Sequence, residues 1–132
     1  MIGVVICTHD KLADALLGTV RMIVGEFQNA VAVAVRPEEG PEQIREHIEA
    51  AVAEVDGGKG VIILCDMFGG TPSNLSLSLL ADDREVVTGV NLPMLLKLYT
   101  HRDEPLHDVA TSIAGYGRES IHVAGDLLRG RK

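Results

Sequence analysis

Residues 4–17 read VVICTHDKLADALL, and the change of texture at the histidine decides how the rest of the chain is read. The apolar run that ends at Cys7 has the length and composition of a strand buried on both faces. After His9, apolar residues recur at helical spacing, with Leu12, Leu16, Val20 and Ile23 on the expected inner face and Gly25 as the expected C-cap. A strand that turns directly into a helix is the first half of a βαβ unit. Taken alone, the histidine at the joint is open to two readings. It can fill space and cap the turn, or it can be an imidazole presented to a partner as a nucleophile.

The same texture recurs down the chain. AVAVAV (30–35) is a second strand, RPEEGP (36–41) turns the chain, and Ile44, Ile48, Ala51, Val52 and Val55 mark a helix that opens at Pro41. GVIILC (60–65) is a third buried strand running into DMFGGTPSN (66–74), where Thr71 reads as an N-cap and Pro72 as the first helical residue. EVVTGV (85–90) is a fourth strand, MLLKLYTHR (94–102) a helix, and another helix is expected at about 105–115. ESIHVAG (119–125) reads as a final short strand. Uninterrupted alternation of this kind implies parallel strands joined by right-handed crossovers, hence an open α/β sheet with helices on both faces. With strand order 2-1-3-4, the first and third strands are neighbours. His9 and Asp66 then meet beyond their carboxyl ends, where such sheets bind ligands.

Composition agrees with one domain over residues 1–132. The apolar content of 46% is enough for a core, yet there are only two Phe, two Tyr and no Trp, which suits a helix-covered sheet better than a β-sandwich. The formal net charge is −7 and the basic residues are scattered, apart from Arg129, Arg131 and Lys132. That leaves no electrostatic footprint for nucleic acid or an anionic membrane, so partners are expected to be proteins or small molecules. No apolar run approaches the roughly 20 residues of a membrane span, and the chain opens on a strand rather than a charged leader, so a cytoplasmic protein is expected. Cys7 and Cys65 each end a strand and read as small buried hydrophobes rather than a disulfide.

Three features converge on the predicted crevice. The neutral ring of His9, with an unperturbed pKa of about 6.5, is a nucleophile near neutral pH. Asp66 can accept a hydrogen bond from the other ring nitrogen, fixing the tautomer and stabilising a cationic ring. GGTPSN (69–74) combines two glycines, which let backbone approach closely, with a helix start whose free N–H groups suit an anion. Together they describe a histidine that carries a phosphoryl group. The loop matches neither the Walker nor the Rossmann glycine pattern, so no nucleotide is expected. No metal-ligand spacing is present, and no cofactor is expected. Met67 and Phe68 form an apolar rim or part of the core, and His47, His101, His107 and His122 have solvated or packing roles.

VVICTHDKLADALL, GVIILCDMFGGTPSN and VVTGVNLPMLLKL, in that order over about residues 1–125, resemble the mannose-class enzyme IIA domain of the bacterial sugar phosphotransferase system. The resemblance implies a phosphocarrier whose histidine takes a phosphoryl group from phosphorylated HPr and hands it to a histidine of enzyme IIB. It makes His9 the phosphorylated residue and Asp66 the carboxylate that holds its ring. It sets Thr71 toward the phosphoryl oxygens with Gly69 and Gly70 alongside, and gives Thr8, of the family's TH pair, a share in shaping the phosphoryl site. It also implies a homodimer that exchanges a C-terminal antiparallel strand, for which 119–125 is the counterpart; in a departure from relatives fused to a IIB domain, the acceptor is expected as a separate protein. Two alternatives share the same His9 chemistry. One is a regulatory protein of this fold whose phosphorylation state a partner senses, and the other is the phosphodonor subunit of a dihydroxyacetone kinase.

Overall fold

A computed structural model of the chain describes residues 1–130; Arg131 and Lys132, part of the basic tail, lie outside the described residues. Four strands form one parallel sheet in the order β2-β1-β3-β4, where β1 is Gly3–His9, β2 Ala30–Val35, β3 Val61–Cys65 and β4 Arg84–Thr88. The predicted strand order is the observed one. The inner strands are buried almost throughout, while the edge strands β2 and β4 are partly exposed. Their unbroken runs of Val, Ile, Leu and Cys therefore have a simple cause, since alternate side chains enter two different helical layers.

Ile2, Val4 and Ile6, with Ile62 and Leu64, pack on helices α1 (Leu12–Val24), α4 (Leu92–Thr100) and α5 (Leu106–Glu119). Val5 and Cys7, with Val61, Ile63 and Cys65, face α2 (Pro41–Val55) and α3 (Thr71–Leu77). Cys7 and Cys65 are register partners across β1 and β3, and both are buried free thiols. Among the described residues no helix is long and apolar enough to cross a membrane.

Three expectations require correction. The inner face of α1 is Ala13, Leu17 and Val20, whereas Leu12 and Ile23 are exposed. Val20 holds its expected inner place and Leu16 is partly buried against the same core, so the expected stripe misses only at its ends, Leu12 and Ile23. At the first of these the choice is fixed by the buried Thr8 hydroxyl, which accepts the Ala13 N–H at 2.7 Å and so turns that small residue toward the sheet. Gly70, not Thr71, is the N-cap of α3, because the backbone stays extended through Gly70 and becomes helical at Thr71. Finally, residues 119–125 form no strand. Helix α5 continues to Glu119 and ends at Ser120, whose hydroxyl donates to the Tyr116 carbonyl, and a short helix α6 (Ala124–Leu128) follows. An extended segment becomes a strand only with a ladder partner, and within the single chain residues 121–123 have none.

The amino-terminal end of the sheet is locked by a side chain that the sequence presents as part of a charged loop. Arg102 is 6% exposed. Its guanidinium donates to the carbonyls of Ile2, Gln28 and Asn29 and lies 5.1 Å from the centre of the Phe27 ring. It thereby ties the start of β1 to the turn before β2. Arg102→Met keeps the stem and removes the donors, leaving the buried Ile2 carbonyl without them, and is expected to cost about 2–4 kcal/mol in urea unfolding. Arg45→Ala, which breaks only the exposed pair with Glu49, is expected to change stability by less than about 0.5 kcal/mol. Equal effects would contradict this account of Arg102.

Candidate functional site

The site lies at the carboxyl end of the two central strands. His9 is the last residue of β1, and Asp66 follows the last residue of β3. One carboxylate oxygen of Asp66 accepts from His9 twice: Nδ1 lies 2.8 Å from Oδ2, and the His9 backbone N–H reaches the same oxygen at 3.1 Å. The other oxygen accepts the Met67 N–H at 3.0 Å. A carboxylate can only accept here, so the imidazole must carry its proton on Nδ1, and Nε2 keeps its lone pair. The ring is half-exposed, at 49%, while the Asp66 side chain is 15% exposed. The acceptor is thus shielded and the nucleophilic edge is open.

Burial alone would push the Asp66 carboxyl up. Its bonds to the His9 ring and backbone, together with the positive charge of a protonated ring, outweigh that and hold it below its ordinary value.

The two glycines serve different ends. Gly69 has φ +89°, a left-handed conformation that L side chains seldom adopt, and its N–H is spent on the Ser73 hydroxyl at 3.0 Å. Gly70 is a matter of space, since a Cβ there would lie 2.8 Å from Cε1 of His9. The imidazole therefore rests against bare backbone. Thr71 is exposed beside the ring, and its side chain makes no hydrogen bond within the described residues. Thr8 is placed otherwise. It is wholly buried behind the histidine, accepting from Ala13 and donating to the His9 carbonyl at 3.2 Å, and does not line the cleft.

His9 and Thr71 open into a cleft of about 400 Å³, whose far wall carries Arg36, Glu38 and Glu39, with Asp10 beside the histidine. The Arg36 guanidinium lies 3.5 Å from the Asp10 carboxylate. Met67 and Phe68 stand out at the rim, 54% and 71% exposed, and belong to the surface rather than the core. Sequence reasoning passed over three of the site's neighbours. Ser73 is fully buried; its hydroxyl also donates to the Gly70 carbonyl at 3.3 Å and so holds the loop. Arg36 and Asp10 could have been found from the strand order, because the residue after β2 must lie beside the residue after β1.

Because its folded value is lowered, Asp66 adds stability that is fully present above its unfolded value and is lost as pH falls through the folded one. In His9→Ala the ring's bond and charge disappear, leaving burial opposed only by backbone N–H groups. The Asp66 carboxyl-carbon titration is expected to move to higher pH in that variant. An unmoved titration would show that the ring does not hold the carboxylate.

The family model described as the PTS system fructose IIA component, EIIA-man, matches residues 3–114. Among curated proteins, the chain is 33% identical over 131 residues to the fructose-specific EIIA component of Bacillus subtilis, covering 97% of this chain and 90% of that protein. It is 37% identical over 124 residues to the mannose-specific EIIAB component of Escherichia coli, covering 91% of this chain but spanning only 38% of the length of that relative. Among solved structures, the PTS IIA protein associated with the fucose utilization operon of Streptococcus pneumoniae superposes with a TM-score of 0.85 at 28% identity, covering 96% of this chain and 95% of that one. The EIIA component from Streptococcus agalactiae gives 0.84 at 26% identity, covering 95% and 98%. With the parallel sheet, the paired His9 and Asp66, and a match over most of its length, the chain belongs to the mannose-type family of phosphotransferase-system enzyme IIA components.

Proposed function

We propose that this chain is a cytoplasmic phosphocarrier that accepts a phosphoryl group on Nε2 of His9 from phosphorylated HPr and passes it to a histidine of an enzyme IIB. The observation that carries the proposal is the 2.8 Å contact between Nδ1 and the shielded Asp66 carboxylate, which leaves Nε2 free in an open cleft. Family membership supports the same reading, as does the naming of relatives as mannose-, fructose- and sorbose-specific components.

In the forward step the Nε2 lone pair attacks phosphorus as the P–N bond of the donor phosphohistidine breaks. The bonding pair returns to the donor ring, which leaves as a neutral imidazole keeping the proton on its other nitrogen. His9 becomes a phosphorylated imidazolium, and its Nδ1–H stays on Asp66. No proton changes hands, and the second transfer is the reverse on a different partner. Catalysis is therefore positioning and charge stabilisation. Asp66 supplies a counter-charge to the cationic ring. Gly70 admits the ring, Gly69 shapes the loop, and Thr71 offers an uncommitted hydroxyl to the phosphoryl oxygens, while Thr8 fixes the histidine from behind.

The decisive measurement is incubation with phosphoenolpyruvate, enzyme I and HPr, followed by intact-mass analysis. An acid-labile addition of about 80 Da, the mass of one phosphoryl group in this transfer, is expected in the wild type and absent from His9→Ala. Asp66→Asn retains a hydrogen-bonding side chain without the charge and is expected to load about 10²-fold more slowly. Full modification of His9→Ala would overturn the assignment.

We also propose a homodimer in which residues 119–125 leave their own chain and pair with a second copy. In the single chain Ile121 and Val123 are exposed at 74% and 71%, with nothing covering them. Light scattering at micromolar concentration should give twice the 14.1 kDa chain mass. A monomeric mass would refute it.

A further inference from the structure

We propose that Arg36 is the cation that engages the phosphoryl group on His9, and that in the unloaded protein Asp10 holds it in reserve. The inference rests on the carrier reading of His9 and adds a residue to it.

The register sets the placement. Val35 is opposite His9, and the Asp10 N–H donates to the Val35 carbonyl at 2.9 Å. Arg36 therefore follows β2 level with Asp10, while Asp66 follows β3 level with Thr8, so the two flank His9 along the strand. The histidine has a carboxylate from one neighbouring strand and a guanidinium from the other.

Charge makes the arrangement significant. Asp10, Glu38 and Glu39 line the cleft, and Asp66 backs the ring. Among the described residues Arg36 is the only cleft-lining Arg or Lys. A phosphoryl dianion placed on Nε2 enters a wall of carboxylates, and Arg36 is the one cationic side chain among the described lining residues to offset it. The resting contact is easily released: it is one 3.5 Å approach between side chains exposed at 45% and 72%. A guanidinium–phosphate contact is charge-assisted, can be bidentate, and is much the stronger of the two. Exchange of Asp10 for the phosphoryl group therefore runs downhill. Asp10 itself sits at φ +49°, an uncommon conformation for a residue other than glycine, on the bend that turns the chain from β1 into α1. The Arg36 backbone is pinned separately, its N–H donating to Glu39 at 2.9 Å, so that only the side chain has to move.

The test uses phosphoramidate, a small donor that needs no docking surface. Nε2 bonds to phosphorus as the reagent's P–N bond breaks and ammonia leaves with the bonding pair. Loading of His9 is followed by ³¹P NMR in the wild type, Arg36→Ala, Arg36→Lys and Asp10→Asn. Arg36→Ala is expected to load roughly tenfold more slowly, the scale of one lost charge-assisted hydrogen bond, and to shift the phosphohistidine resonance. Arg36→Lys should recover part of the rate, which a merely structural role would not produce. Asp10→Asn, which frees the guanidinium, should load faster than wild type. Arg36→Ala loading at the wild-type rate with an unshifted resonance would overturn the inference. A parallel arm with phosphorylated HPr separates the two claims: loading by phosphoramidate but not by HPr refutes the carrier reading while the Arg36 comparison still stands. No loading of His9 by either donor refutes both.

Discussion

The site depends on a single shared oxygen. Oδ2 of Asp66 accepts from both the side chain and the backbone of His9, so the ring is fixed to the same point as the chain that bears it. This works only because β1 and β3 are adjacent and parallel, with Cys7 opposite Cys65, which sets Asp66 level with Thr8 and within reach of the histidine that follows it. The two strands are buried on both faces and cannot slide without turning a whole set of side chains to the wrong layer. Histidine orientation is thus inherited from the register of the sheet. Arg102, at the other end of β1, belongs to the same logic, because it secures the strand that carries the histidine.

The same burial concentrates reactivity on one residue. Two thiols lie directly behind the imidazole and would ordinarily compete as nucleophiles. Desolvation raises Cys7 to about 12, with Cys65 and Asp66 adding to the rise and the neighbouring Ser76 hydroxyl opposing it. Desolvation likewise raises Cys65 to about 11. Both remain thiols at neutral pH, and the thiolate is the reactive form. The exposed imidazole is left as the nucleophile at the end of these strands.

Much of this was legible in the sequence, and the parts that were not share a cause. The parallel, helix-covered sheet followed from alternation of apolar runs with helical spacing, and the meeting of His9 and Asp66 followed once the order 2-1-3-4 was adopted for it. The glycine pair was legible as a place of close approach. What could not be read depended on a single rotation or a single buried polar contact. The inner face of α1 turned on the Thr8 hydroxyl, which selects Ala13 over Leu12. Arg102 drew no reading at the end of its expected helix, and the three carbonyls around it explain its burial. The segment 119–125 has the composition of a strand, but composition does not supply a partner, and within one chain helix α5 takes its first residue.

A group that serves two proteins in turn faces a conflict that this geometry addresses. Sequestering the histidine would strengthen every electrostatic contact to a phosphoryl group, since attraction grows as water is excluded, but it would close the site to a partner's imidazole. Here the stabilising parts are divided by depth. The Asp66 carboxylate and the buried Ser73 hydroxyl lie back from the surface, and they hold the imidazole and the loop beside it. The front is open to solvent, rimmed by Met67 and Phe68, and offers an exposed threonine and a side chain that can move. A fixed cation at the front would hold the phosphoryl group too firmly to surrender it. One that must give up Asp10 on loading offsets part of its attraction to the phosphoryl group, so the loaded state is favoured less than it would be by an unpartnered cation.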